Sequence, residues 1–252
     1  MFRKNLPVHS ISDYKNLLTT EPNNDSWEFD SHAGSDNYKF FKKSVRSQPK
    51  DWVYNKKKIE YKTNEQGFRA RKFNNLDWNN LIVILGCSNV FGTGLAEEDT
   101  ISAQLEKLIS IPVINLGVPG ASIELSFYNS LLLHSKNYRP KAIIQIWSEL
   151  YRYVELNNKK PINYIPCEKN YDFRKEWQNK SIFFRYADNQ VWKNETIYCE
   201  ASFFENTSKT FEIEHLDKID LARDLSHPGI ESNRMAAEKI YNQIIKKDKK
   251  SD

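Results

Sequence analysis

The 252-residue sequence predicts an α/β fold, in which a central, mostly parallel sheet forms the middle of a three-layer α/β/α sandwich. Short, continuous apolar runs are typical of strands buried on both faces of such a sheet. The chain contains three such runs, "LIVIL" (81–85), "PVINL" (112–116) and "AIIQIW" (142–147). Helical patterns separate them, so strand and helix alternate. This alternation implies right-handed crossovers, with ligands bound at the carboxyl ends of the strands.

Three helices are predicted from apolar residues that recur at helical spacing. In "TISAQLEKLI" the residues Ile101, Leu105 and Leu108 lie at i, i+4 and i+7, which places them on one face. Residues 122–135 predict a second helix, and residues 230–247 predict a third. These helices would supply the outer layers of the sandwich.

The character of the chain changes near residue 78, and this change sets the predicted domain boundaries. Residues 1–77 are polar and aromatic, and they predict an N-terminal extension of short strands or turns that packs on the core. Residues 78–252 predict the main domain, with an insertion at about 150–210 that ends near a further strand in "TIYCEASFF". Packing onto the core is favoured over a pocket lining for the aromatic residues of this insertion. They are Trp177, Phe183, Phe184, Tyr186 and Trp192.

Composition and charge argue against several classes of function. Lys and Arg number 37 against 33 Asp and Glu, and a net charge of +4 gives no strong case for a nucleic-acid partner. The sequence has neither the apolar region of a signal peptide nor a run near the about 18 apolar residues of a membrane helix. Three cysteines without CxxC spacing indicate neither a disulfide framework nor a zinc site. We therefore expect a cytoplasmic protein without a membrane span or a metal.

The segment "GCSNVFGTG" (86–94) places Ser88 where the first predicted strand gives way to a helix. A serine hydroxyl becomes a nucleophile when a base takes its proton. A phosphate-binding or purely structural turn is the alternative interpretation. The segment has neither the Gly-Lys-Ser/Thr of a P-loop nor GxGxxG spacing, which weakens the phosphate-binding alternative.

Among the five histidines, His227 is the strongest candidate for the base. It lies in the loop "DLSHPG" (224–229), three residues after Asp224 and just before the last predicted helix. A carboxylate that accepts from Nδ1–H would leave Nε2 free as a base and would stabilise the imidazolium. An Asx turn, in which Asp224 caps the loop, explains the spacing equally well. His215, near Asp217, could indicate a metal, but no matching pair of ligands occurs elsewhere.

Three motifs resemble, in order and spacing, three of the four sequence blocks of the SGNH (GDSL-type) hydrolases. They are "GCSNVFG" after the first strand, "NLGVPGAS" (115–122) after the second and "DLSHPG" before the last helix. The resemblance covers residues 78–247 and implies the flavodoxin-like sandwich of that family. Upstream, "TNEQGFRARKF" (63–73) looks like the extension of a subgroup that has Gly-Cys-Ser as its first block.

The resemblance implies a role for each matched residue. Ser88 would be the nucleophile, and Asp224 and His227 would complete a catalytic triad. The backbone N–H groups of Ser88 and Gly120 would stabilise the oxyanion. In the third block the family has Gly-x-Asn-Asp, whose asparagine donates to the oxyanion, whereas this chain has "WSELYR" (147–152). An ionised Glu149 cannot donate, so Ser148 is the alternative donor at this point.

Two functions follow from these residues. The first is a serine esterase without a metal or organic cofactor, which hydrolyses a small-molecule, lipid or carbohydrate ester. The second is a catalytically weak or inactive SGNH-like protein with a binding or structural role, which the missing asparagine and the aromatic insertion favour. Survival of Ser88, Asp224 and His227 together argues against full degeneration. The sequence does not indicate an oligomeric state.

Overall fold

Ten strands and six α-helices are present in the described part of the chain. The computed structural model describes residues 2–7, 26–28, 48–55, 57, 59–157, 160–166 and 172–249. The strands are β1 (Phe2–Pro7), β2 (Ser26–Glu28), β3 (Glu60–Lys62), β4 (Ile82–Gly86), β5 (Val113–Gly117), β6 (Ala142–Ile146), β7 (Tyr153–Asn157), β8 (Lys160–Pro166), β9 (Ile197–Ser202) and β10 (Glu214–His215). The helices are α1 (Ser88–Phe91), α2 (Ile101–Ile109), α3 (Ile123–Ser135), α4 (Asp172–Trp192), α5 (Glu205–Phe211) and α6 (Ile230–Asp248).

Five parallel strands form the central sheet, in the spatial order β10-β9-β6-β4-β5. Numbered along the chain within this sheet, the order is 2-1-3-4-5, which is the flavodoxin-like arrangement. The predicted α/β/α sandwich with a parallel sheet is therefore confirmed. The strand order reverses beside β4, which has β5 on one side and β6 on the other. In such sheets ligands bind at the carboxyl ends of the strands next to this reversal.

Alternate residues of β4 face the two helical layers. Val83 and Leu85 pack in one hydrophobic cluster with residues of α3 and α4. Ile82 and Ile84 pack in a second cluster with residues of α2 and α6. Because both faces of the strand are covered by helices, it reads as a continuous apolar run rather than an alternating one.

Side-chain caps fix the starts of two predicted helices. The hydroxyl of Thr100 accepts the N–H of Ala103 at the start of α2, and the hydroxyl of Ser122 accepts the N–H of Leu125 at the start of α3. Such caps satisfy backbone donors that have no acceptor within the helix. The three helices predicted from apolar spacing are confirmed within one or two residues of their predicted ends.

The described residues between 59 and 78 contribute to the core of the protein. Tyr61 packs with Phe91 in one hydrophobic cluster, and Phe68, Phe73 and other residues of this segment join the cluster on the α3 side of the sheet. The stretches 8–25 and 29–47 lie outside the described residues. The assignment of residues 1–77 as one extension therefore stays a prediction.

The predicted insertion contains elements of two sheets. Strands β7 and β8 form an antiparallel sheet with β1, whereas β9 belongs to the central sheet. Trp192 of α4 is fully buried and donates its indole N–H to Ser130 Oγ at 2.6 Å, as the packing interpretation predicts. For Phe183 and Tyr186 that interpretation is wrong, because they are 64% and 62% exposed on α4. Their neighbour Phe184 turns inward and contacts the ring of Phe127.

A carboxyl group is fully buried between α4 and the sheet. Asp188 Oδ2 accepts hydrogen bonds from Gln145 Nε2 and the hydroxyl of Tyr198, both at 2.8 Å. Burial raises the pKa of Asp188 to about 7. An unfolded aspartate has a pKa of about 3.9, so between these values the folded protein binds a proton that the unfolded chain does not. The contribution of Asp188 to stability therefore falls as the pH rises toward about 7 and is constant above it.

Replacing Asp188 with Asn is expected to remove this part of the pH dependence. In the wild type, titration of Asp188 lowers the free energy of unfolding by up to about 1.4 kcal/mol for each pH unit between about 3.9 and about 7. Urea unfolding between about pH 5 and pH 8 measures the difference between wild type and variant. Asp51→Asn, at an exposed position, is the control and is expected to follow the wild type. An Asp188→Asn profile parallel to that of the wild type would contradict the prediction.

Candidate active site

Ser88 lies at the carboxyl end of β4, as the first residue of the one-turn helix α1. Cys87, which joins the end of β4 to Ser88, has an extended backbone with φ −96° and ψ −154°. The backbone N–H of a first helical residue has no acceptor within its helix. A Cβ on Gly86 would lie 2.5 Å from Val90 Cγ2 and 2.6 Å from the carbonyl oxygen of Ile146, so this position requires glycine. The sequence therefore lets α1 pack closely against the end of the sheet.

His227 comes from a separate part of the chain and meets the serine. The two atoms Ser88 Oγ and His227 Nε2 are 2.8 Å apart, within the reach required of a nucleophile and its base. The loop that carries His227 is closed by the N–H of Ala222, which donates to the His227 carbonyl at 2.9 Å. The imidazole is partly exposed to solvent, so a substrate can reach the pair.

Asp224 contacts the other ring nitrogen of His227. Its Oδ2 is in hydrogen-bond contact with His227 Nδ1, while its Oδ1 accepts the backbone N–H groups of Ser226 at 3.2 Å and His227 at 3.1 Å. The spacing left an Asx turn and an Asp224–His227 side-chain pair as alternatives. In the structure the same carboxylate makes both, one with each oxygen. Burial opposes ionisation of Asp224, but the hydrogen bonds, led by that with the His227 side chain, hold its pKa below the usual value. An ionised carboxylate here favours the tautomer with Nε2 free to accept a proton.

The loop after β5 lies beside the end of β4. The N–H of Val118 donates to the Gly86 carbonyl at 2.9 Å, and the N–H of Ala121 donates back to the Val118 carbonyl at 2.9 Å. Gly120, in this loop, has a left-handed backbone with φ +78°. The loop that contains the predicted donor Gly120 is therefore held at the edge of the sheet where Ser88 begins its helix.

Ser148 is placed differently from the other predicted donors. It follows β6 and is fully buried, and its Oγ has no hydrogen-bond partner in the described part of the structure. Its carbonyl accepts the hydroxyl of Thr207 at 3.0 Å, which anchors this segment to α5. A substrate cannot reach the Ser148 hydroxyl in this arrangement.

Asn89 is a further candidate, which the sequence motifs do not identify. It directly follows Ser88, is only 7% exposed, and forms no side-chain hydrogen bond to any residue that the structure describes. Its amide atoms are not among the fully buried side-chain atoms that lack a partner in the described residues, so they keep contact with solvent beside the candidate nucleophile. The signal in the sequence was an amide residue next to the serine.

The remaining histidines of the described chain lie in other contacts. His215 Nδ1 is 3.0 Å from Ser208 Oγ, and His134 Nε2 is 3.0 Å from Glu195 Oε1. His9 and His32 lie outside the described residues. Where the structure is described, it contains no cluster of three or more His, Cys, Asp or Glu that could hold a metal ion. Nor does any helix within the described ranges have the length and apolar character to cross a membrane.

Comparison with known proteins finds similar solved structures. No family model matches the sequence, and no curated protein matches it. A protein assigned to the G-D-S-L lipolytic family, from Desulfitobacterium hafniense, is similar over 66% of this chain and 99% of its own, with 16% identity and a TM-score of 0.43. A G-D-S-L family member from Veillonella parvula is similar over 64% of this chain and 96% of its own, with 11% identity and a TM-score of 0.42.

A third similar structure is a family 2 carbohydrate esterase with a carbohydrate-binding domain, from Corynascus thermopiles (Myceliophthora fergusii). The similarity covers 66% of this chain and 65% of the esterase, with 10% identity and a TM-score of 0.43. Two of these three structures are named as G-D-S-L family proteins.

Proposed function

We propose that this protein is a serine esterase of the SGNH type, which hydrolyses a small-molecule, lipid or carbohydrate ester. The observation that carries the proposal is the 2.8 Å contact of Ser88 Oγ with His227 Nε2. On the opposite ring nitrogen, Asp224 supplies the carboxylate that a general base of this kind requires. A turn with a purely structural role would not need its serine hydroxyl to contact a histidine that in turn contacts a carboxylate.

In the proposed reaction, His227 Nε2 takes the hydroxyl proton of Ser88 as Oγ attacks the ester carbonyl carbon. Asp224 holds the imidazole in position and stabilises the imidazolium. When the tetrahedral intermediate collapses, the bond to the leaving oxygen breaks and His227 returns the proton to the departing alcohol. Water, deprotonated by His227, then attacks the acyl carbonyl carbon. The bond to Ser88 Oγ breaks, His227 returns the proton to Oγ, and the carboxylic acid is released. Water is the second substrate that this sequence of steps requires.

The developing oxyanion needs donors in this mechanism. The backbone N–H groups of Ser88 and Gly120 are the proposed backbone donors, as the family resemblance implies. The buried hydroxyl of Ser148 is poorly placed for the side-chain donor. The amide of Asn89 lies next to the nucleophile in the chain and has no competing partner in the described structure. In our proposal Asn89 therefore supplies the side-chain N–H that the third block lacks.

Asn89→Ala is expected to lower kcat by roughly 10² to 10³, the usual cost of losing one oxyanion donor. Because the amide makes no hydrogen bond within the described fold, the variant should keep the thermal stability of the wild type. Ser148→Ala is the matched control, with kcat expected within about twofold of the wild type. Steady-state kinetics on a short-chain aryl ester measures both. A large loss in Ser148→Ala with normal turnover in Asn89→Ala would move the donor role to Ser148.

Labelling with a fluorophosphonate tests the proposed function without knowledge of the natural ester. These probes react with a serine that a base has activated, so the wild type is expected to carry one adduct, mapped to Ser88 by peptide mass spectrometry. The alternative function, a weak or inactive scaffold with a binding or structural role, predicts an unlabelled protein. An unlabelled Ser88, or an adduct on another residue, would overturn the esterase proposal.

A further inference from the structure

Residues 91–95, here called the nucleophile turn, join the two halves of the candidate active site. On one side the turn continues from α1, and the N–H of Gly92 donates to the Ser88 carbonyl at 3.0 Å. On the other side the Gly94 carbonyl accepts the N–H of Arg223 at 3.2 Å, one residue before the triad carboxylate. A shift of this turn would therefore change the position of the serine relative to the histidine loop.

Arg69 is a buried cation that holds the nucleophile turn from the N-terminal segment. It is 1% exposed. Its Nη1 donates to the carbonyls of Phe91 at 3.2 Å and Gly92 at 2.9 Å, and its Nη2 donates to the carbonyl of Leu95 at 3.0 Å. Its Nε pairs with Glu97 Oε2 at 2.5 Å. The planar guanidinium can reach these acceptors together, whereas a lysine ammonium cannot.

Tyr61 of β3 holds the same turn by a second contact. Its hydroxyl accepts the N–H of Gly94 at 2.6 Å, and its ring centre is 4.9 Å from the Arg69 guanidinium carbon. Gly94 has φ +79°, and a Cβ there would lie 2.9 Å from Ala222 Cβ and 3.1 Å from Asp224 Oδ1. The turn is thus packed directly against the loop that carries the carboxylate, with little space between them.

We infer that Arg69 is a positioning residue for the esterase and that, together with Tyr61, it fixes the distance between Ser88 Oγ and His227 Nε2. The catalytic consequence rests on the proposed function. Arg69 acts through backbone carbonyls of the nucleophile turn, not through the triad itself. A displacement of about 1 Å between reacting groups can cost on the order of 10² in rate. The segment that carries Tyr61 and Arg69 is therefore part of the active-site scaffold.

Arg69→Lys is the first test, because it keeps the positive charge and loses the fork of donors. We expect kcat and the rate of fluorophosphonate labelling of Ser88 to fall by about tenfold or more, with KM within about twofold. Arg71→Lys is the matched control: Arg71 lies two residues further on, its side chain is 52% exposed, and it pairs with Glu106. The control is expected within about twofold of the wild type in every constant. All rates are compared well below the Tm of each protein.

Tyr61→Phe provides a second test if Arg69→Lys does not fold, because it removes one oxygen and keeps the ring. It leaves the N–H of Gly94 without its tyrosine acceptor, and we expect kcat to fall by about three- to tenfold. A purely structural role predicts a lower Tm with unchanged kcat in both variants, and that result would overturn the inference.

Hydrogen exchange separates this inference from the proposed function. Amides in residues 88–95 and 222–227 are expected to exchange faster in Arg69→Lys than in the wild type, and at the wild-type rate in Arg71→Lys. Faster exchange in both segments of Arg69→Lys would support the role of Arg69 in holding the two segments together. If Ser88 of the wild type also stayed unlabelled, the esterase proposal would be overturned while the structural role of Arg69 remained. Unchanged exchange and unchanged kcat, combined with normal labelling of Ser88, would support the esterase and overturn the positioning role.

Discussion

Ser88→Ala is expected to abolish ester hydrolysis while leaving the fold unchanged. The substitution removes one oxygen, whose hydrogen bond in the structure is to His227 Nε2. Without that oxygen no acyl-enzyme can form, and in another serine hydrolase the loss of the nucleophile lowers kcat by about 10⁶. Turnover of 4-nitrophenyl acetate measures the loss, and circular dichroism with a thermal scan verifies the fold.

Ser226→Ala is the matched control for this experiment. Ser226 lies in the loop of His227, and its backbone N–H, which a substitution to alanine keeps, donates to Asp224 Oδ1. We expect its turnover to stay within about threefold of the wild type. If Ser88→Ala hydrolysed the ester at the wild-type rate, the activity would come from another site and the assigned nucleophile would be wrong.

Asp224→Asn is expected to lower kcat by up to about 10⁴, the value for the corresponding change in a serine protease. The amide oxygen can still accept the backbone N–H groups of Ser226 and His227, so the loop should keep its shape. The amide cannot stabilise an imidazolium as a carboxylate does, and it favours the wrong tautomer of His227. Asp217→Asn, which removes an exposed partner of Lys239, is the control. Equal kcat values in the two variants would contradict the role given to Asp224.

The same substitution has a predictable effect on stability in acid. The pKa of Asp224 is lowered in the folded protein because, against the cost of burial, the His227 side chain and two backbone N–H groups stabilise the carboxylate. A carboxyl group with a lowered folded pKa stabilises the protein above its unfolded pKa of about 3.9, and this contribution is lost as the pH falls through the folded value. Asp224→Asn should therefore lose less stability on acidification than the wild type does. Urea unfolding at several acidic pH values measures this difference.

Much of the central sheet could be predicted because each of its signals is local. A strand covered on both faces must be apolar at consecutive positions, and β4, β5 and β6 all lie at such runs. The position of Ser88 at the end of the first strand could be predicted because the apolar run, the serine and the following glycines all lie within a short segment of the sequence. β10 is a weaker case, since its two residues form too short a strand for a reliable pattern.

The residues that support the site could not be predicted in the same way. Arg69 bonds to backbone carbonyls 22 to 26 residues further along the chain, and every residue type has a backbone carbonyl. A lone arginine in a polar segment is normally a surface residue, and nothing nearby distinguishes Arg69 from the exposed Arg71. The exposure of Phe183 and Tyr186 is a similar case, because an aromatic residue on a helix does not reveal whether another element covers it.

Trapping the acyl-enzyme tests directly whether Ser88 attacks an ester with His227 as its base. Wild-type protein is mixed with an activated aryl ester and quenched in acid within the first turnovers. The quenched protein is then analysed by intact-protein and peptide mass spectrometry, beside Ser88→Ala and His227→Ala. We expect one acyl group on Ser88 in the wild type and none in either variant. Acylation of another residue, or equal acylation of Ser88 in the wild type and in His227→Ala, would show that the assigned pair does not perform the reaction.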